Sequence, residues 1–192
     1  MFGFIPADRI VLASASPRRA ELLRAAGIEF LVRPADVDES LHDGEPPETY
    51  VMRVAEAKAH AIRAHLPDAA ILAADTTVVV DHHVLGKPDG AEDAQRMLRL
   101  LSGRSHEVIT GVVLVAPNRP VDARVASTTV EFAALTEEEI KWYTETGEPL
   151  DKAGAYAIQG FASRFVTRIV GSYSNVVGLP VALVYEMIHR PR

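Results

Sequence analysis

Apolar positions along this chain change spacing repeatedly, and each spacing predicts an element. Ile10 to Ala13 is an apolar run, so residues 9–13 read as a strand, 17–26 as a helix closed by Gly27, and 29–33 as a second strand. A helix over 48–66 puts Val51, Val54, Ala55 and Ile62 on one stripe. Residues 71–80 form a buried strand, Asp81-His82-His83 a turn, and Val84-Leu85 a short return strand. A helix over 91–101 follows, with Gly103 just beyond its end. Two alternating runs, 107–115 and 121–132, flank Pro117-Asn118-Arg119-Pro120 and predict a long antiparallel hairpin. Thr136-Glu137-Glu138-Glu139 is a capping box opening a helix to about Thr146. Residues 165–170 read as a strand and 180–189 as a terminal helix with Pro180 near its start. Strands and helices mix without strict alternation, which predicts an α/β fold around a mixed sheet. No repeat or Gly/Ser linker interrupts the pattern, so the expectation is one domain over 1–192.

Two charged residues break this pattern. Asp75 interrupts the apolar run Ile71-Leu72-Ala73-Ala74 and Val78-Val79-Val80, where an unpaired carboxylate is costly. It is either a strand-end aspartate bonded to backbone amides or a functional carboxylate. Lys58 falls on the same helical stripe as Val51, Val54 and Ile62, so its ammonium must snorkel outward or meet a negative partner. A third irregularity lies at Ser14-Ala15-Ser16-Pro17-Arg18-Arg19. Ser16 suits an N-cap and Pro17 the first helical position. Arg18 and Arg19 oppose the helix dipole unless an anion lies between them, and phosphate is the obvious candidate. The competing reading is a capped helix with solvated arginines.

Composition narrows the classes. The chain has 192 residues, 48% hydrophobic, with a formal net charge of −6. That balance argues against broad nucleic-acid or membrane-surface binding, so a small anionic substrate needs locally concentrated cations. The absence of cysteine excludes disulfides, thiolate catalysis and Cys-ligated metals. Met1 to Asp8 is too short and too soon acidic for a signal peptide, and Ala69 to Val80 is too short to span a membrane. The expectation is a cytoplasmic protein. His82-His83 and the His60/His65 pair lack the spacing of a zinc helix, and His106 reads as structural. Tyr156 and Phe161 near Gln159 read as packing residues before base-stacking ones.

The Ser14–Arg19 segment, followed by Ala74-Asp75-Thr76-Thr77, Leu85-Gly86-Lys87-Pro88, Leu101-Ser102-Gly103, Asp151 to Gly160 and Gly171 to Pro180, resembles the signature of the Maf family of nucleotide pyrophosphatases. The blocks keep the family's order and span nearly the whole chain. The resemblance implies a Maf/ITPase-like α/β fold: an elongated, twisted mixed sheet flanked by helices, in two lobes with the site in a central cleft. It implies a hydrolase that cleaves the α–β phosphoanhydride of a nucleoside triphosphate, releasing the monophosphate and pyrophosphate. Asp75 matches the family's catalytic aspartate, as a proton acceptor or a metal holder. Ser14, Arg19, Lys58 and Lys87 match phosphate-binding positions, and Glu39 a carboxylate that handles metal and phosphate together with Asp75. Magnesium or manganese is the implied cofactor, since such cations take one or two carboxylates plus substrate phosphates.

Arg18, Thr76 and Gln159 match the positions that mark the dTTP/UTP branch, where another branch linked to 7-methyl-GTP resembles Trp, Glu and Glu. A Gln amide can accept from uracil N3–H and donate to O4. The opposing reading is that Gln159 merely caps a turn before Gly160. The resemblance also implies a homodimer, for which the sequence offers no interface argument. A nucleotide-binding regulator of septum formation is the alternative function. A nucleotide kinase is weaker, because Gly86-Lys87-Pro88 is no P-loop.

Overall fold

The computed structural model describes residues 10–189. The readings of Met1 to Asp8 and of Arg9 as a strand residue therefore lie outside the described residues. The elements are β1 (Ile10–Leu12), α1 (Pro17–Ala25), β2 (Leu31–Val32), α2 (Pro47–Arg63), β3 (Ala70–Val80), β4 (His83–Leu85) and α3 (Ala91–Leu101). They continue with β5 (Ser105–Val115), β6 (Asp122–Phe132), α4 (Glu137–Glu145), β7 (Val166–Val170), α5 (Tyr173–Val177) and α6 (Val181–His189). Three short 3-10 turns, Glu148–Asp151, Ala153–Ala155 and Phe161–Phe165, lie between α4 and β7.

The strands make one mixed, seven-stranded sheet in the order β2-β1-β3-β5-β6-β7, with β4 added to β3. β1 runs parallel to β2 and β3, with Leu12 opposite Leu72. β4 is antiparallel to β3, and β7 is antiparallel to β6 with an irregularity at Glu131/Phe132. The β3–β4 connection is two residues long, Asp81 and His82, both at positive φ (46° and 66°), the conformation a tight hairpin demands. No helix among the described residues is long and apolar enough to cross a membrane.

The chain divides into two compact units. The first holds residues up to Asp75, Thr110–Ala126 and the chain from Gly178 onward. Here the two-residue period of the strands sorts side chains cleanly. Ile10, Leu12, Leu72 and Val112 pack with Leu23 of α1 and Val184 and Met187 of α6. Val11, Ile71, Ala73 and Val113 pack on the other face with Ala55 and Ala59 of α2. Helices on both faces explain why Ala70–Ala74 of β3 reads as a continuous apolar run rather than an alternating one. Each fully buried Leu or Ile there contributes about 1.5–3 kcal/mol. Gly111 of β5 lets α2 approach closely, because a Cβ there would lie 2.7 Å from the Val51 carbonyl oxygen.

The second unit holds Thr76–Ile109 and Ser127–Val177. Its core joins α3 and α4 to a cluster of rings: Phe132 meets His106 and Tyr156 edge-on, and Tyr143 meets Phe165 edge-on at 5.5 Å. His106 is buried as expected of a structural histidine, with Nε2 2.8 Å from the Tyr156 hydroxyl. The Thr136 capping box forms: the Glu139 N–H donates to Thr136 Oγ1, and the Thr136 N–H to the Glu139 carboxylate. The helix at 173–177 and the 3-10 turns were absent from the sequence reading, whereas the remaining elements fall within a few residues of it.

Candidate active site

In the first unit, strand period and helix period bring opposite charges together. Asp75 shares the strand parity of Ile71 and Ala73, so it faces α2. Lys58 lies on the buried stripe of α2 with Val51, Val54 and Ala55. The Lys58 ammonium meets Asp75 Oδ1 at 2.8 Å and Glu39 Oε1 at 2.7 Å. Lys58 and Asp75 are 6% exposed, so this is a buried pair, while the Glu39 side chain remains 44% exposed. Lys58 meets negative partners instead of snorkelling, and Asp75 bonds a side chain in mid-strand rather than amides at a strand end.

Beside this cluster stands the strand–turn–helix of Ser14 to Arg19. Pro17 takes the first helical position, as expected. Ser16 occupies the N-cap, as expected, although its side chain makes no capping bond. Its N–H instead donates to Ser14 Oγ at 3.2 Å. Arg19 turns inward, donating through Nε to the Gly178 carbonyl at 2.8 Å and through Nη1 to Ser14 Oγ at 3.1 Å. Burial pushes the Arg19 guanidinium down from its ordinary pKa, while the nearby Asp75 and Glu39 carboxylates pull it back up. Arg18, one residue earlier, is partly exposed. Ser14, Arg19, Lys58, Glu39 and Asp75 thus all belong to one unit, with the buried cations facing the carboxylates.

In the second unit, Thr76 directly follows Asp75 on β3 and is partly exposed. Lys87 is exposed, just after β4, with no hydrogen bond or ion pair among the described residues. Gln159 is exposed in a turn that the Gly160 N–H closes on the Ala157 carbonyl at 3.0 Å. Its amide makes no hydrogen bond among the described residues, so the turn stands without it. Just before it, Gly154 and Ala155 take consecutive left-handed conformations (φ 68° and 58°), a costly one for alanine. A Cβ on Gly154 would lie 2.8 Å from Val78.

The family model for Maf-like proteins matches residues 9–191. The chain belongs to the Maf-like protein family. This Maf-like chain is 57% identical over 189 residues to a protein named dTTP/UTP pyrophosphatase from Anaeromyxobacter sp. (strain Fw109-5), covering 96% of this chain and 90% of the relative. It is 52% identical over 181 residues to one of the same name from Myxococcus xanthus (strain DK1622), covering 94% and 91%. Among solved structures it is similar in fold to the Staphylococcus aureus Ham1 protein. That match has a TM-score of 0.50 at 16% identity, over 92% of this chain and 97% of the other.

Sequence reasoning missed how this Maf-like chain holds Glu39. Tyr50 and Arg53 lie one turn apart on α2 and grip consecutive carbonyls of the loop 34–46, which carries Asp36, Asp38, Glu39, Asp43 and Glu45. The Tyr50 hydroxyl donates to the Glu39 carbonyl at 2.9 Å, and Arg53 Nη2 to the Ser40 carbonyl at 2.8 Å. Arg53 also forks onto Glu45 at 2.7 and 2.8 Å, which holds the Glu45 carboxyl down at about 2. Burial and the nearby Asp75 and Glu39 charges raise the Tyr50 phenol to about 12, so it stays a donor. The i, i+3 spacing of Tyr50 and Arg53 was the available signal.

Asp75 and Glu39 also fit a hard divalent cation. Both offer carboxylate oxygen close to one buried ammonium, and magnesium characteristically takes one or two carboxylates and completes its shell with water and substrate phosphates.

Proposed function

We propose that this Maf-like protein is a nucleoside triphosphate pyrophosphatase that hydrolyses dTTP and UTP to the monophosphate and pyrophosphate. The observation that carries the reading is the Lys58 ammonium held between Asp75 and Glu39, a charged cluster built around an otherwise apolar strand. Relatives 50–57% identical over nearly the whole chain bear the name of that activity.

In the reaction, water oxygen forms a bond to the α-phosphorus and the bond from that phosphorus to the α,β-bridging oxygen breaks. Pyrophosphate leaves on the bridging oxygen, and the attacking water gives up a proton. Asp75 takes that proton: Lys58 engages only Oδ1, leaving Oδ2 without a hydrogen bond among the described residues. Lys58 fixes the Asp75 side chain and, with Arg19, offsets negative charge on the phosphoryl oxygens. Ser14 and Arg18 hold the phosphates at the start of α1, where free amide groups favour anions. Lys87 adds a further cation. A magnesium or manganese ion held by Glu39 and Asp75 would polarise the phosphoryl oxygens.

Thr76 and Gln159, with Arg18, set the preference for uracil and thymine. A site built around an amide pair rejects mismatched bases by roughly 10⁴-fold, whereas one methyl group alters affinity far less, so UTP and dTTP are both substrates. A panel of dTTP, UTP, CTP, GTP and 7-methyl-GTP, run with magnesium on wild type, Asp75→Asn and Gln159→Glu, tests the reading. Expected are dTTP and UTP turnover, its loss in folded Asp75→Asn, and a shift toward purines in Gln159→Glu. A wild-type preference for 7-methyl-GTP, or full activity in Asp75→Asn, would overturn it.

A further inference from the structure

The turn that carries Gln159 is fastened on both sides by one pair of side chains, the buried Tyr143 and the half-buried Glu148. On its leading side, the Ala157 N–H donates to the Tyr143 hydroxyl oxygen at 3.1 Å. On its trailing side, the Phe161 N–H donates to Glu148 Oε2 at 3.0 Å, with the Ala162 N–H 3.5 Å from Oε1. The two anchors are themselves joined, because the Tyr143 hydroxyl donates to Glu148 Oε1 at 2.8 Å. Tyr143 is fully buried and packs edge-on against Phe165, so the anchor is set in the core of the second unit. Burial and the Glu148 charge raise the Tyr143 phenol above its ordinary pKa, which keeps it a donor.

Glu148 is delivered by its own 3-10 turn, where its N–H donates to Thr146 Oγ1 at 3.2 Å. Its carboxylate reaches the chain at Gly160 only because that residue has no side chain. A Cβ at 160 would lie 2.1 Å from Oε2. A carboxylate has acceptor sites for all three donors, whereas an amide presents one acceptor oxygen and an NH₂ group that opposes the backbone N–H groups.

We propose that Glu148, through Tyr143, is a specificity-positioning residue: it sets the turn that aims the Gln159 amide at the base. The proposal rests on the reading of Gln159 as the base-recognising residue. The Gln159 side chain has no hydrogen bond of its own among the described residues, so the turn alone sets where that side chain starts and which way its Cα–Cβ bond points. Loosening the turn therefore costs discrimination between bases before it costs the chemistry at the phosphates, which Asp75 and Lys58 perform.

The test compares kcat and KM for UTP and GTP in wild type, Glu148→Gln, Tyr143→Phe and Gln159→Glu, with a melting curve for each protein. Tyr143→Phe keeps the ring in the core and removes only the hydroxyl, so it stands in should Glu148→Gln fail to fold. The expected result is a fall of about tenfold in the UTP/GTP ratio of kcat/KM, carried by a higher KM for UTP with kcat nearly retained. A merely structural role would lower the melting temperature and leave that ratio unchanged. Wild-type selectivity in folded Glu148→Gln or Tyr143→Phe, beside altered selectivity in Gln159→Glu, overturns this proposal alone. Unaltered selectivity in Gln159→Glu overturns the base reading itself, and this proposal with it.

Discussion

Replacing Lys58 by methionine keeps most of the length of the side chain and an apolar stem, and removes the charge. Asp75, 6% exposed, then loses its hydrogen-bonded cation and stands near Glu39 with nothing between them. Removing one partner of a buried pair costs about 3–5 kcal/mol, because the surviving charge is left unsolvated. The Glu39 arm adds little, since that side chain is 44% exposed and its ion pair is screened by water. For a chain of this size each kcal/mol moves the melting temperature by about 2–4 °C, so a fall of roughly 6–20 °C is expected. Thermal unfolding followed by circular dichroism at neutral pH reads it. The same substitution in an Asp75→Asn background should cost only about 1 kcal/mol, because the partner charge is already gone. A loss below about 1 kcal/mol in the single variant, or equal losses in both backgrounds, would refute the buried-pair reasoning.

Other consequences are as direct. Burial lowers His106 from 6.5 to about 4, so between those values the unfolded chain binds a proton that the folded chain refuses. Its contribution is whole above pH 6.5 and is lost as pH falls toward 4, a change on the order of 3 kcal/mol. Denaturant titrations across that range should show a steeper decline in wild type than in His106→Gln, and equal slopes would contradict the assignment. Gly111→Ala places a methyl 2.7 Å from the Val51 carbonyl oxygen, so α2 must lift from β5 at a cost of about 1–3 kcal/mol, measurable by urea unfolding. A loss under about 0.5 kcal/mol would show that α2 yields freely there. Arg53→Ala frees the Ser40 carbonyl and Glu45 and should raise the magnesium concentration for half-maximal activity several-fold. An unchanged magnesium response would separate Arg53 from Glu39.

The parts of this molecule that were legible in its sequence are those written in a period. β3 declared itself as an apolar run because both its faces are covered, and Asp75 declared itself by interrupting that run. Lys58 was legible because 3.6-residue spacing put it on the buried stripe of α2. What the sequence did not show is fixed by bonds between residues far apart in the chain. Ser16 stands at the N-cap, yet the hydroxyl at work is that of Ser14, drawn by Arg19 from the first turn of the helix and by the Ser16 N–H. Residues 148–165 carry no apolar period, and Glu148 ties the first of their 3-10 turns to the last by reaching Phe161. The short helix Tyr173–Val177 is pinned by the Asn175 amide, which donates to the Val108 carbonyl and the Thr128 hydroxyl. No local pattern encodes such contacts.

The central claim concerns which phosphorus water attacks, and isotope position answers it. UTP hydrolysed by the purified protein in ¹⁸O-water with magnesium is separated into its products, and the label is located by mass spectrometry. The account predicts UMP carrying one ¹⁸O atom, together with unlabelled pyrophosphate. Label in pyrophosphate, or UDP with labelled orthophosphate, would place the attack at the β- or γ-phosphorus and contradict it.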